Sequence, residues 1–225
     1  MSVKVQRQEV VAAALALLDE VGMEGLTMRR LAQALGIQAP SLYWHFPGKQ
    51  SLFDAMADAM LAELALPPAR EGDWAGWLQA VAVEQRRVLK SRRDGARVYA
   101  GTFPVTEGVL GLTERLIAPL LQAGADERTA IRALFTIQCF VLGFTIEEQA
   151  STGGSGSGSG GVDLGALARQ AADREAGRHP LAVSALTALA ADDPDDRFLF
   201  GLRVLTGGLA AAMPAAAAAA GPPTA

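Results

Sequence analysis

Apolar residues recur along this chain at three- and four-residue intervals, and no stretch shows convincing strict alternation. That spacing puts side chains on one face of a helix, so an all-α fold is expected. The first helix is predicted over 4–21, where Val10, Ala14, Leu17 and Val21 form a stripe widened by Val11, Leu15 and Leu18. Gly22 is its expected stop. Thr27 can cap a short second helix that carries Leu31 and Leu35 and ends at Gly36. Pro40 suits the first turn of a third helix, which Pro47-Gly48 ends. A fourth is predicted over 49–66 and closed by Pro67-Pro68. Longer helices are predicted over 73–93, 106–123, 127–150, 164–177 and 195–212, with a short turn or helix between Asp94 and Gly101. The stretch 181–191 is left unassigned.

These breaks suggest a small N-terminal domain at 1–48, a connecting helix at 49–66 and a larger helical domain at 73–213. The Gly/Ser run at 151–161 is flexible by composition, and the alanine-rich 214–225 reads as a disordered tail. Half of the 225 residues are apolar, which is ample for a core. A single cysteine, Cys139, and two histidines, His45 and His179, argue against a disulfide framework, a thiolate metal site or a histidine-rich centre. No metal site and no cofactor are expected. No Ser/His/Asp set has plausible spacing, so an enzyme is not expected either. The N-terminus carries no leader-like apolar block, and the longest apolar stretch, 134–146, is too short to span a bilayer. A cytoplasmic protein without a membrane partner follows.

The segment 26–46, LTMRRLAQALGIQAPSLYWHF, has a sharper signature. Two short helices joined by a glycine-containing turn are the helix-turn-helix layout, whose second helix enters the major groove of DNA. Ser41 can bond a base edge or a phosphate. Tyr43 offers a hydroxyl to a phosphate and a ring to a thymine methyl. Trp44 and His45 add N–H donors, Lys49 begins the next helix as a phosphate contact, and Arg29 can pair with guanine. From 27 to 53 there are three basic residues and no acidic one, which leaves −7 on the rest of a chain of net charge −4. A positive end on an acidic protein is the footprint of a local DNA contact. Leu31, Leu35, Ile37, Leu42 and Phe46 read as core whatever the function. Tyr43 and Trp44 could join them, although two adjacent aromatics and His45 cannot all face inward from one helix. A second basic group, Arg86, Arg87, Lys90, Arg92, Arg93 and Arg97, reads as a solvated face with internal ion pairs rather than as a DNA contact.

At LAQALG, LYWH and Lys49 the chain closely resembles the DNA-binding domain of the tetracycline repressor (TetR) family. SRRDGARVYAGTFP (91–104), CFVLGFTIEEQ (139–149) and FLFGLRVLTGGL (198–209) resemble its C-terminal domain. The resemblance implies a ligand-responsive repressor that binds a palindromic DNA operator as a homodimer and is released by a small-molecule effector. It also implies that the eighth and tenth helices pair across a two-fold axis. Helix 127–150 fits, with Leu134, Ile137, Val141 and Phe144 on one side and Ile131, Phe135 and Leu142 on another. The last helix offers Phe198, Leu202, Leu205 and Leu209. Operator contacts carried over by position are Thr27, Arg29, Pro40, Ser41, Tyr43, Trp44, His45 and Lys49. Ala39 replaces a base-reading glutamine, so a different operator is expected. Two alternatives stand beside this: a DNA-binding regulator without a ligand, and a helical-bundle enzyme.

The drug-binding members of the family hold a tetracycline–magnesium chelate, and here that pattern is largely gone. Ala65, Val81, Gln85, Tyr99, Phe103, Arg115 and Cys139 align with the polar, aromatic and metal-ligating positions. Thr102, Pro104 and Glu147 are kept, and the resemblance implies that Glu147 acts across the dimer, so its place relative to its own chain's cavity does not decide its role. With Leu112, Leu134 and Gln138 these residues are the expected ligand pocket. It suits a mostly apolar or aromatic molecule with Gln85, Tyr99, Arg115 and Glu147 as polar handles, and not a magnesium chelate. Cys139 reads as a small buried apolar residue.

Overall fold

The computed structural model describes residues 5–70, 72–152 and 162–213, and among these the regular structure is entirely helical. Helix α1 (Arg7–Gly25) begins where the Glu9 carboxylate accepts the Gln6 N–H at 2.7 Å. It breaks at Gly22, whose φ of +72° lies outside the helical region, and resumes for one short turn. Helices α2 (Met28–Ala34) and α3 (Ala39–His45) follow, with the Thr27 hydroxyl capping α2 through the Arg30 N–H. Gly36, at φ +65°, makes the turn between them. Val10, Ala14 and Leu18 of α1 pack with Leu31, Leu42 and Phe46 to form the core of this three-helix head.

Helix α4 (Lys49–Ala62) carries that core onward through Leu52, Met56 and Met60. It is shorter than the 49–66 expected. Proline disfavours helical backbone in the residue before it, so Pro67-Pro68 acts upstream. The freed segment is pinned to the next helix instead: the Ala65 N–H donates to Glu84 and the Trp77 indole N–H donates to the Pro67 carbonyl, both at 3.1 Å. Helix α5 (Trp74–Lys90), capped by Asp73, stops three residues early because the chain turns through Asp94, a non-glycine residue at φ +55°. The short α6 (Gly95–Tyr99) and α7 (Glu107–Gln122) follow.

Helices α8 (Glu127–Thr152) and α11 (Pro194–Ala210) pack with α5, and α7 packs on α8. Gly201 lets the Phe140 ring lie against α11, since a Cβ there would fall 2.4 Å from it. The Phe140, Phe144 and Phe198 rings cluster at 5.1–5.8 Å. Between α8 and α11, α9 (Leu164–Glu175) and α10 (Pro180–Ala191) pack on each other. Residues 181–191, left unassigned from the sequence, are thus helical, with Pro180 in the first turn. The last helix is therefore the eleventh rather than the tenth. Ser151 and Thr152 end α8 instead of belonging to the Gly/Ser run. The rest of that run, and the tail 214–225, lie outside the described residues. Counted whole, α8 is long and apolar enough to cross a membrane by length and composition, beyond the short stretch counted from the sequence. Its Ile137 and Val141 are nonetheless buried in the core.

Candidate nucleic-acid interface and ligand cavity

Helix α3 rests on the head through Leu42, which is fully buried, and Phe46 locks the chain just after it. A seven-residue helix anchored on one stripe presents the rest of its surface outward. Pro40, Ser41, Tyr43 and Trp44 are exposed there, while Ala39 and His45 are half-buried. Trp44 is 90% and Tyr43 50% exposed, so neither joins the core. A fully exposed tryptophan leaves a large apolar surface in water unless something covers it. Thr27 and Arg29 are exposed at the start of α2, and Arg29 makes no ion pair. Lys49 is exposed at the start of α4. Its ammonium reaches the Met23 carbonyl at 3.3 Å and lies over the Phe53 ring.

One contact that went unread in the sequence sets the pose of α3. The Arg7 guanidinium donates to the His45 carbonyl at 2.6 Å and lies 4.2 Å from the centre of the Phe46 ring. It ties the start of α1 to the end of the reading helix.

The second basic group is consumed internally. Arg86 and Lys90 pair with Glu148, and Arg87 pairs with Glu84. Arg92 pairs with Asp19 and Glu63, and Arg97 with Glu24 and Asp94. The Arg93 backbone N–H donates to Asp19 and its guanidinium to the Glu20 carbonyl. Asp94 accepts the Met23 N–H at 2.9 Å. Residues 92–97 are thereby fastened to the end of α1 and, through Glu63, to the end of α4.

The chain just beyond that segment, from Tyr99 to Val105, walls a cavity of about 370 Å³ between α4, α5, α7 and α8. Of the expected ligand residues, Val81, Gln85, Tyr99, Thr102, Phe103, Pro104, Leu112, Leu134 and Gln138 line it. No lining residue carries a formal charge. The Tyr99 hydroxyl accepts from the Gln138 amide at 3.2 Å, and burial raises its pKa, so it stays a neutral phenol. The Thr102 hydroxyl is spent on the Tyr99 carbonyl. The Gln85 amide bonds to no other described residue, which leaves it for a guest. Phe103 stands 77% exposed at the mouth.

Four expected residues lie elsewhere. Ala65 sits past the end of α4, turned toward Glu84. Arg115 is on the flank of α7 and lines a neighbouring groove with Asp58 and Glu107. Glu147 lies nine residues beyond Gln138 on α8, roughly 13 Å along the axis, beside Phe144 and Arg197. Cys139 is exposed, not buried, because one helical step turns it away from the cavity side that Gln138 faces. Residues missed include Leu61, Leu64, Leu78, Val109, Thr113, Leu116 and Ile137. Their signal was available, since Val109, Leu112, Thr113 and Leu116 share one face of α7 by helical spacing. Magnesium requires oxygen ligands. The cavity offers neither carboxylate nor imidazole, so its residues do not fit a metal chelate. Among the described residues no group of three or more His, Cys, Asp or Glu could hold a metal ion.

Known proteins agree with this geometry. Residues 10–56 match the profile of bacterial regulatory proteins, tetR family, and residues 66–213 that of the tetracyclin repressor-like C-terminal domain. The chain is 40% identical to the tetracycline repressor protein class A from transposon 1721 of Escherichia coli, over 92% of this chain and 91% of that one. A possible TetR family transcriptional regulator from Streptomyces coelicolor superposes with a TM-score of 0.80 at 39% identity, covering 92% of this chain and all of the other. ActR of the same organism, solved with actinorhodin, superposes at 0.81 with 28% identity, covering 96% of this chain and all of its own.

Proposed function

Because the chain belongs to the tetR family of bacterial regulatory proteins, and is thus a transcriptional repressor and not an enzyme, we propose that it binds a palindromic operator as a homodimer and is released by an uncharged, largely apolar effector. The observation that carries the effector class is the cavity lining, which is apolar except for neutral hydroxyls and amides. Burying a charged guest against such a wall costs far more than burying a neutral one. Gln85, Tyr99 and Gln138 would orient the molecule by hydrogen bonds, and Phe103 would close over it. The site is about the size of a small aromatic compound.

Operator binding is supported by the outward surface of α3 and by the absence of acidic residues from 27 to 53. Thr27, Arg29, Ser41 and Lys49 would hold phosphates or base edges, Tyr43, Trp44 and His45 would pack along the groove, and Ala39 would meet a thymine methyl. Dimerisation is supported by the apolar side chains left uncovered on α8 and α11. The protein would act in the cytoplasm, where its DNA is.

Release follows from population shift: operator and effector favour different placements of the head, so each weakens the other's binding. The segment from Arg92 to Pro104 connects the two sites physically. One end walls the cavity through Tyr99, and the other is bonded to Asp19, Met23, Glu24 and Glu63.

Selection from a random DNA library, followed by footprinting, tests the proposal. A two-fold symmetric site is expected, with protection lost in Tyr43→Ala protein. Tetracycline with magnesium is expected to leave that complex intact, whereas a neutral aromatic ligand found by thermal shift is expected to release it. Enrichment of an asymmetric site, or release by tetracycline with magnesium, would overturn it.

A further inference from the structure

A second and larger space lies outside the inner cavity. It is a groove of about 910 Å³ between α1, α4 and the segment that follows α6. Val11 and Leu15 of α1 and Ala55 and Ala59 of α4 give it an apolar stripe between polar flanks. Three carboxylates line it: Asp54 and Asp58 stand one helical turn apart on α4, and Glu63, just past its end, is paired with Arg92. Neither Asp54 nor Asp58 has a cationic partner among the described residues. Asp54 accepts from the Gln50 amide and Asp58 from the Thr106 hydroxyl, each through one oxygen.

The two guanidinium groups that line the groove are already engaged. Arg7 is held by the His45 carbonyl and the Phe46 ring, and Arg92 by Asp19 and Glu63. The groove therefore presents an apolar trough with two carboxylates on one wall that pair with no described cation, while Arg7, held by a carbonyl and a ring, keeps its own charge. We propose that it is a second effector site, for a small amphiphilic amine whose ammonium sits between Asp54 and Asp58 and whose hydrocarbon part lies in the trough. A charge-assisted hydrogen bond to each carboxylate would supply the polar half of the recognition, and removal of apolar area from water the other half.

The site has a bearing on regulation through a shared wall. Phe103, Pro104 and Val105 line both this groove and the inner cavity. A guest in the groove touches the head through α1 and α4, and touches the cavity wall through those three residues. It differs from the inner cavity in charge, since no carboxylate lines the latter.

Calorimetric titration of the full chain with 4-phenylbutylamine and with its neutral counterpart 4-phenylbutan-1-ol tests this. The alcohol, a neutral aromatic of the class assigned to the inner cavity, serves as the control for that cavity. In protein carrying Asp54→Asn and Asp58→Asn, which keeps the acceptors but removes the charge, the amine's affinity is expected to fall tenfold or more and the alcohol's to stay unchanged. Ala55→Phe, which fills the trough, is expected to abolish binding of the amine in protein whose helical circular dichroism is intact. Undiminished amine binding in the Asn variant, or in the Ala55→Phe variant, would overturn the proposal. The readout needs neither the operator nor the effector of the inner cavity, so its failure would leave the reading of that cavity standing.

Discussion

Two glycines with almost the same backbone carry different burdens. Gly22 and Gly36 both sit at positive φ, at +72° and +65°. An L side chain in that region costs roughly 1–2 kcal/mol. At Gly36 nothing lies within 4 Å of where a Cβ would stand, so the backbone cost is the whole cost. At Gly22 a Cβ would fall 3.0 Å from both Arg93 Nε and Asp94 Oδ2, the groups that fasten 92–97 to the end of α1. Gly22→Ala is therefore expected to destabilise the protein by about 1–2 kcal/mol more than Gly36→Ala, on the order of other overpacking substitutions. Urea unfolding of the two variants measures the difference, and equal losses would mean that the junction yields without cost. Both glycines were legible in the sequence as helix stops. The reason Gly22 must be small was not, because Arg93 and Asp94 stand some seventy residues away along the chain. Cys139 failed for the converse reason. Its chemistry suggested burial, and only the packing of α8 shows which way it turns.

Helix starts were better signalled than helix ends. Thr27, Asp73 and Thr106 each cap a helix by accepting a backbone N–H three residues on, a local interaction that residue type announces. The end of α4 and the existence of α10 depended on what the neighbouring chain does, and local composition did not carry that. The joints between helices were harder still. Helix α5 is held to α8 by Arg86 and Glu148, both buried, with guanidinium-to-carboxylate bonds of 2.8 and 2.6 Å. Arg86 also pairs with Asp195 at the start of α11 and lies over the Phe198 ring at 4.7 Å. Burial works against the charge on Glu148, but the bonds from Arg86 and Lys90 outweigh it and hold its pKa below the ordinary carboxylate value. A carboxyl with a depressed folded-state pKa stabilises the fold above its unfolded pKa, and loses that contribution as pH falls through the folded one. Glu148→Gln is thus expected to cost about 2 kcal/mol at pH 7. That is less than the usual cost of breaking a buried pair, since Asp195 still faces Arg86. The gap between wild type and variant should narrow as pH drops from the ordinary carboxylate range downward. Urea melts of both proteins from pH 7 to pH 3.5 would read it, and a gap that stays constant would deny the charge its role.

The molecule as a whole leaves one face unexplained by its own packing. Helix α11 buries Phe198, Leu202 and Thr206 within the chain, but Phe200 is 64% and Val204 57% exposed on its opposite side. On α8, Ile137 and Val141 are buried while Ile131 is exposed, and Phe135, also exposed, borders the inner cavity. The two stripes read on α8 from the sequence thus separate into an inner and an outer one, and the residues named for the last helix lie on its inner or flanking side. Large apolar side chains exposed to water on two helices call for a cover. A second copy of the same face satisfies that need with two-fold symmetry, the symmetry a palindromic operator requires. Phe200→Asp with Val204→Asp places like charges at such an interface while leaving the inner stripe of α11 untouched. The variant is expected to sediment as a single chain at concentrations where the wild type is a dimer, with its helical circular dichroism retained. Its affinity for the full operator should fall by a hundredfold or more, toward that for a half-site, because the second head no longer arrives tethered to the first. A variant that stays dimeric would show that the pairing face lies elsewhere. One that is monomeric yet binds the full operator as tightly as the wild type would break the link between dimerisation and recognition on which the proposed release mechanism depends.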